Sequence, residues 1–92
     1  MAMSKFIGGS AYAMARDIGD GYVSVTDRTF KAYSAADIRQ LTFEIDRYLR
    51  DLRGSQSATD EMELVRKRNR KIGRLNTANM IIRVFRQKNR IA

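Results

Sequence analysis

The segment Ser34–Arg53 carries the clearest structural signal in the chain, that of an amphipathic helix with a defined beginning and end. Ser34 followed three residues later by Asp37 fits a helix N-cap, with an acid near the positive end of the helix dipole. Gly54 is the usual left-handed residue that terminates a helix. The apolar residues between them recur at spacings of three and four: Ile38, Leu41, Ile45, Tyr48, Leu49 and Leu52. The segment therefore predicts a helix with one buried face.

Two short runs before this helix alternate as strands do. Tyr22–Thr26 places valines on one face and hydroxyl side chains on the other, and Thr29–Tyr33 places Phe30 between polar neighbours. The break at Asp27 and Arg28 lacks the Asn-Gly or Asp-Gly pair of a tight turn. We therefore expect a two-stranded antiparallel hairpin with a longer or bulged connection. The pattern leaves two strand registers, one residue apart, as alternatives.

A further helix is expected near the N-terminus, from Ala11 to Ile18. Ser10 is placed to cap it, and Gly19–Gly21 stops it. Its apolar face at i, i+3, i+4 and i+7 consists of Ala11, Met14, Ala15 and Ile18. Such a short helix is not stable alone in water, so it must pack on the second helix or on the hairpin.

The composition limits the chemistry that the chain can perform. Its 92 residues suffice for one small domain, and they include no Cys and no His. Disulfides, thiolate nucleophiles and the commonest metal ligands and general base are therefore excluded. No apolar run approaches the roughly 20 residues of a membrane span, and no signal peptide is evident, so we expect an intracellular or particle-bound protein without cofactor or catalytic residues.

Basic residues are concentrated in the C-terminal part of the chain. Residues 1–54 carry a net charge of +1, whereas residues 55–92 carry a net charge of +7. From Val65 onward there are ten basic residues and no acidic residue. This asymmetry predicts a core at 1–54, a linker at 55–59 and a basic arm at 60–92. The expected fold class is thus α+β: a short helix, the hairpin, a longer amphipathic helix and a basic C-terminal arm that is helical in part.

Two conformations are open for the end of the arm. Ser57 or Thr59 is placed to cap a helix that ends at Gly73. Beyond it, the apolar residues Leu75, Ala78, Ile82 and Phe85 share a face if Thr77–Lys88 is helical, which we favour. An extended strand that pairs with a partner's sheet is the alternative.

At this point the chain resembles the head-to-tail joining proteins of tailed phages typified by gpW. The resemblance covers roughly residues 10–55 and is carried by Gly21–Val25, by Phe30–Ser34 and above all by Ser34–Arg39, followed by Glu44 and Ile45. It implies a virion protein at the head–tail junction, assembled in the host cytoplasm. Copies would form a ring on the portal protein, twelve by family resemblance, which closes the DNA-filled head and binds the tail terminator or the next neck protein.

In such an adaptor, the arm would anchor apolar residues in the portal and direct its bases at acidic portal residues or non-specifically at packaged DNA. The expected partner-binding residues are Arg66, Arg68, Arg70, Lys71, Arg74, Ile81, Ile82, Arg83, Val84, Phe85 and Arg86. Tyr12, Tyr22 and Phe43 are expected at contacts between subunits, although Phe43 also fits a widened core edge.

Other functions remain open at the level of sequence. The bases also suit a solvated face, or a small basic nucleic-acid-binding protein, although no recognition helix, zinc finger or aromatic stacking platform accompanies them. Asp17, Asp20 and Asp27 lie near turns, where acids cap or solubilise more often than they catalyse. We therefore expect a protein that assembles with partners and not an enzyme.

Overall fold

Helices form all the regular secondary structure in the described part of the computed structural model, which comprises residues 6–54 and 61–89. Helix α1 spans Ala11–Asp20, α2 spans Ala35–Gly54 and α3 spans Met62–Lys88. A short 3-10 helix, Asp27–Phe30, lies between α1 and α2. The fold is therefore all-α, and the predicted α+β class is wrong.

Helix α1 forms where the sequence predicts it. The amide of Ala13 donates a 3.1 Å hydrogen bond to the Ser10 hydroxyl, which supplies the predicted N-cap. At the other end Gly21 adopts a left-handed φ of 90°, and its amide donates back to α1. The predicted apolar face is confirmed, since all four of its residues are buried.

Helix α2 confirms the predicted N-cap and apolar face, whereas Gly54, predicted as a left-handed terminator, belongs to the helix and has no left-handed φ. The Asp37 amide donates to the Ser34 hydroxyl at 3.1 Å, and the Ser34 amide donates to the Asp37 carboxylate at 2.9 Å. This reciprocal pair satisfies two amides that a helix start leaves without partners. The apolar stripe is buried from Ile38 to Leu49, and Leu52 packs half-buried against the core.

The predicted hairpin is absent. Residues 23–26 have no regular structure, and the expected second strand begins inside the 3-10 helix and continues as a turn at residues 31 and 32. The Thr26 amide donates to the Thr29 hydroxyl at 3.0 Å, a local bond that competes with strand pairing. A two-stranded hairpin is marginal in water even with a favourable turn, and this one lacks the turn residues. The alternation nevertheless marked residues that are buried, namely Val25 and Phe30.

Helix α3 is continuous through Gly73, so the predicted interruption at that residue is wrong. The helical interpretation of Thr77–Lys88 is confirmed, and the strand alternative is excluded. The ring of Phe85 lies 5.8 Å from that of Phe30, so α3 packs on a residue that was expected in the second strand. The predicted caps Ser57 and Thr59, and the linker at 55–59, lie outside the described residues.

One hydrophobic core joins all three helices. Leu75, Ala78, Ile82 and Phe85 from α3 belong to the same buried cluster as the faces of α1 and α2. The core therefore extends beyond residues 1–54 and includes half of the segment that we expected to act as an arm. The preceding turns of α3, from Met62 to Arg70, bury little of their surface and carry four of the nine bases of this helix.

Candidate functional site

The apolar residues predicted to bind a partner have different positions in the structure. Ile82 and Phe85 are only 3% and 6% exposed, because they complete the chain's own core. Ile81 is half-buried against that core, and Val84 is exposed on the opposite side of α3. Of these four side chains, Val84 is therefore the most accessible to a partner.

Two of the predicted partner-binding bases hold α3 against the C-terminal end of α1. The Lys71 ammonium lies 3.2 Å from Oδ1 of Asp20, and the Arg74 guanidinium donates a 3.0 Å hydrogen bond to the carbonyl oxygen of Gly19. The last carbonyls of a helix lack internal partners and attract cations. Both bases therefore have a structural role at this junction.

Tyr48 from α2 completes this junction. Its hydroxyl donates a 2.8 Å hydrogen bond to the same Asp20 oxygen that Lys71 contacts. Burial, together with the hydrogen bond to Asp20, raises the pKa of Tyr48 above its ordinary value. Burial by itself lowers the pKa of Lys71, but the contacts with Asp20 and Tyr48 outweigh it and raise that pKa. The three side chains form one hydrogen-bonded group that joins all three helices.

A groove beside this junction lies between α3 and the segment 21–25, which has no regular secondary structure. It consists of two hollows of about 500 and 380 Å³. Arg70 and Arg74 line both hollows, Lys67 and Tyr22 line the smaller one, and Ser24 lines the larger one. We call this feature, lined by residues 21–25 and by α3 from Lys67 to Ile81, the basic groove.

The charge of the basic groove is strongly positive. Lys67, Arg70, Lys71 and Arg74 line the smaller hollow with a single acid, Asp20, which Lys71 already neutralises. Within residues 6–54 and 61–89, Lys67 and Arg70 take part in no ion pair. Lys67 was missing from the predicted binding residues, although its i, i+3 and i+7 spacing with Arg70 and Arg74 is visible in the sequence.

The other predicted bases are distributed around α3. Arg66 and Arg83 are exposed, whereas Arg68 and Arg86 are half-buried. Arg83 and Arg86 line a separate hollow between α2 and α3, where Asn79 donates a 3.2 Å hydrogen bond to Asp46. The bases of the predicted arm therefore do not form one continuous surface.

The three aromatic residues predicted at subunit contacts are all exposed. Tyr22 is 82% exposed, and Phe43 is 59% exposed on the outward side of α2. Tyr12 is half exposed, and its ring lies 5.0 Å from the guanidinium carbon of Arg16. The interpretation of Phe43 as a core residue is therefore wrong, and all three rings are accessible to a partner.

Two of the acids that lie near turns contact other side chains in the described part of the chain. No group of three or more acidic residues there is placed to hold a metal ion. Asp20 is engaged by Tyr48 and Lys71, and Asp27 lies 3.5 Å from the Lys88 ammonium.

Among the described helices, none is long and apolar enough to cross a membrane.

Comparisons with known proteins give no match: no family model, no curated protein and no solved structure is similar to this chain. Its function is therefore inferred from its own residues, charges and contacts.

Proposed function

We propose that this chain is an adaptor of the tailed-phage neck, which acts by assembly. A ring of copies docks on the portal protein, closes the DNA-filled head and offers a surface to the tail terminator or the next neck protein. The resemblance that supports this role rests on the Ser34–Ile45 region, where the capped helix α2 forms. The hairpin that the sequence predicts before this helix is absent, so Gly21–Val25 and Phe30–Tyr33 lend the proposal no structural support.

The observation that carries the proposal is an exposed apolar site on the outward side of α3. Met80 is 60% exposed and Val84 is 43% exposed. They lie four residues apart, so they are neighbours on one face of the helix, roughly opposite the stripe that Leu75 and Ile82 bury. Arg83 lies beside them and is also exposed. An apolar pair next to a cation suits a partner surface that combines a crevice with acidic residues.

This site replaces part of the portal-binding set expected from the sequence. Arg83 and Val84 stay in the set and Met80 joins it, whereas Ile82 and Phe85 leave it because they are buried in the core. Tyr12 and Phe43 remain the proposed contacts between neighbouring copies, since their exposed rings lie on other parts of the surface, whereas Tyr22, which was also expected there, lines the basic groove. When two different surfaces of a subunit meet head to tail, repetition of the contact generates a closed ring if the rotation closes.

Point substitutions test the proposal better than truncation does. Removal of residues 73–92 would delete Leu75, Ala78, Ile82 and Phe85 and thereby unfold the core. We therefore suggest the variant Met80→Ser/Val84→Ser, and as its control Met62→Ser/Leu64→Ser, which alters two comparably exposed apolar residues at the other end of α3.

The measurement is co-sedimentation of each variant with the portal oligomer encoded in the same genome. We expect the wild-type chain and the control to sediment with the portal, and Met80→Ser/Val84→Ser to stay behind. Equal co-sedimentation of both variants would remove this site from the portal interface. Absence of co-sedimentation by the wild-type chain would contradict the adaptor function itself.

A further inference from the structure

The basic groove places a row of cations along one side of α3. Lys67, Arg70 and Arg74 follow each other at three and four residues, so they project from the same side of the helix. At a rise of 1.5 Å per residue, the row extends about 10 Å along the helix axis. A ligand that pairs with all three cations of this row must carry more than one negative charge.

The contacts at the end of α1 divide these cations into two groups. Arg74 and Lys71 are held by Gly19 and Asp20, so they give the groove a fixed inner wall. Lys67 and Arg70 lie at the open side and form no ion pair within the described residues. The groove therefore contains two cations that are accessible to an external anion.

An aromatic ring stands at the edge of the same hollow. Tyr22 lines it together with Lys67 and Arg70 and is 82% exposed. The backbone on which Tyr22 stands is fixed, because the amides of Tyr22 and Val23 both donate to the carbonyl oxygen of Asp17, at 2.9 and 3.2 Å. A solvent-exposed ring on a fixed backbone, beside cations without an ion pair, is a combination that suits a base and its phosphates.

We propose that the basic groove binds single-stranded nucleic acid, with phosphates at Lys67 and Arg70 and a base stacked on Tyr22. A paired duplex covers the faces of its bases and leaves Tyr22 without a stacking partner. An acidic peptide would satisfy the cations but would gain little from the ring. This site lies apart from Met80 and Val84 and does not depend on the adaptor function.

The probe is a fluorescein-labelled oligothymidine of 20 nucleotides, titrated with the full-length chain and followed by fluorescence anisotropy over a range of salt concentrations. We expect Lys67→Gln/Arg70→Gln to lower the slope of log affinity against log salt by about 1.4, at about 0.7 per phosphate contact. When the salt concentration falls from 1 M to 0.1 M, the affinity of the wild type should therefore rise about 25-fold more than the affinity of Lys67→Gln/Arg70→Gln. The control Arg39→Gln/Arg50→Gln removes the same charge from exposed positions on α2 and should retain the wild-type slope.

The aromatic part of the proposal has its own variants. Tyr22→Ala should weaken binding at least about fivefold, whereas Tyr22→Phe, which keeps the ring, should bind as the wild type does. Phe43→Ala removes an exposed ring elsewhere and serves as the control. All of these positions are exposed, and circular dichroism of each variant checks that its helices are retained.

Three results would overturn the proposal. The first is that the wild-type chain fails to bind the oligothymidine at any salt concentration. The second is that Lys67→Gln/Arg70→Gln and the control Arg39→Gln/Arg50→Gln lose affinity equally. The third is that Tyr22→Ala binds as tightly as the wild type. In the last case, displacement of the oligothymidine by polyglutamate of similar length would identify an unspecific polyanion surface. Portal co-sedimentation is scored separately, so failure of either proposal leaves the other testable.

Discussion

The guanidinium of Arg74 donates a 3.0 Å hydrogen bond to the carbonyl oxygen of Gly19, 55 residues earlier in the chain. This bond places a cation at the end of α1, where the helix dipole is negative and the carbonyl lacks an internal partner. Lys71 acts one turn away through Asp20. Bases that in sequence belong to a charged arm thus fix the packing of α1 on α3.

Substitution of Gly21 tests this junction. Gly21 has a φ of 90°, and a Cβ atom there would lie 2.9 Å from the guanidinium carbon of Arg74. Gly21→Ala combines backbone strain with displacement of Arg74, so we expect the free energy of unfolding to fall by about 1–2 kcal/mol in urea denaturation. Gly54→Ala, where no such contact and no left-handed φ exist, is the control. Equal stability of the two variants would contradict the described packing.

Substitution of Gly73 tests the continuity of α3. Gly73 is exposed in the helix interior, and a Cβ atom would meet nothing within 4 Å. Gly73→Ala should therefore raise the free energy of unfolding by about 0.5–1 kcal/mol, because alanine restricts the unfolded chain and favours the helix. A lower urea midpoint would instead show that the chain needs a break at this residue.

Truncation of a core residue tests whether α3 belongs to the core. Leu75 is fully buried between the helices, so Leu75→Ala should lower the free energy of unfolding by about 2–5 kcal/mol. Val84→Ala, on the exposed side of the same helix, should change it by less than about 0.5 kcal/mol. Similar small effects in both variants would show that α3 is detached from α1 and α2.

Alkaline pH should weaken the group formed by Tyr48, Asp20 and Lys71. The pKa values of Tyr48 and Lys71 are raised above their ordinary values of 10.0 and 10.5, so the folded state holds both protons more tightly than the unfolded state does. Their contribution to stability is complete below about pH 10 and is lost as the pH rises through the raised pKa values. Urea midpoints measured from about pH 8 to 11 should therefore fall less steeply for Tyr48→Phe than for the wild type. Parallel curves would contradict this coupling.

The sequence predicts α1 and α2 correctly because their signals are local. For α2, the cap at Ser34 and Asp37 and the period of the apolar residues both lie within one segment. The hairpin prediction fails because its evidence was also local, whereas the partner of Phe30 is Phe85, 55 residues later in the chain. Nothing in the alternation of Val23 and Val25 distinguishes pairing with a strand from packing against a helix.

The candidate site is predicted less completely than the fold. The sequence shows that Leu75, Ala78, Ile82 and Phe85 share one face of a helix, but it does not show whether that face packs on the chain's own core or on a partner. The role of Ile82 and Phe85 in the core follows only once α1 and α2 provide a surface for them. Tyr22 and Lys67 are distant in sequence, and the packing of α1 on α3 is what brings them to one groove.

Native mass spectrometry of the intact chain mixed with the portal oligomer of the same genome tests the proposed adaptor function most directly. The account predicts a discrete complex that contains one copy of the chain per portal subunit, or a simple multiple of that ratio. Separate peaks for the free portal and the free chain, under conditions in which the chain is folded, would contradict it.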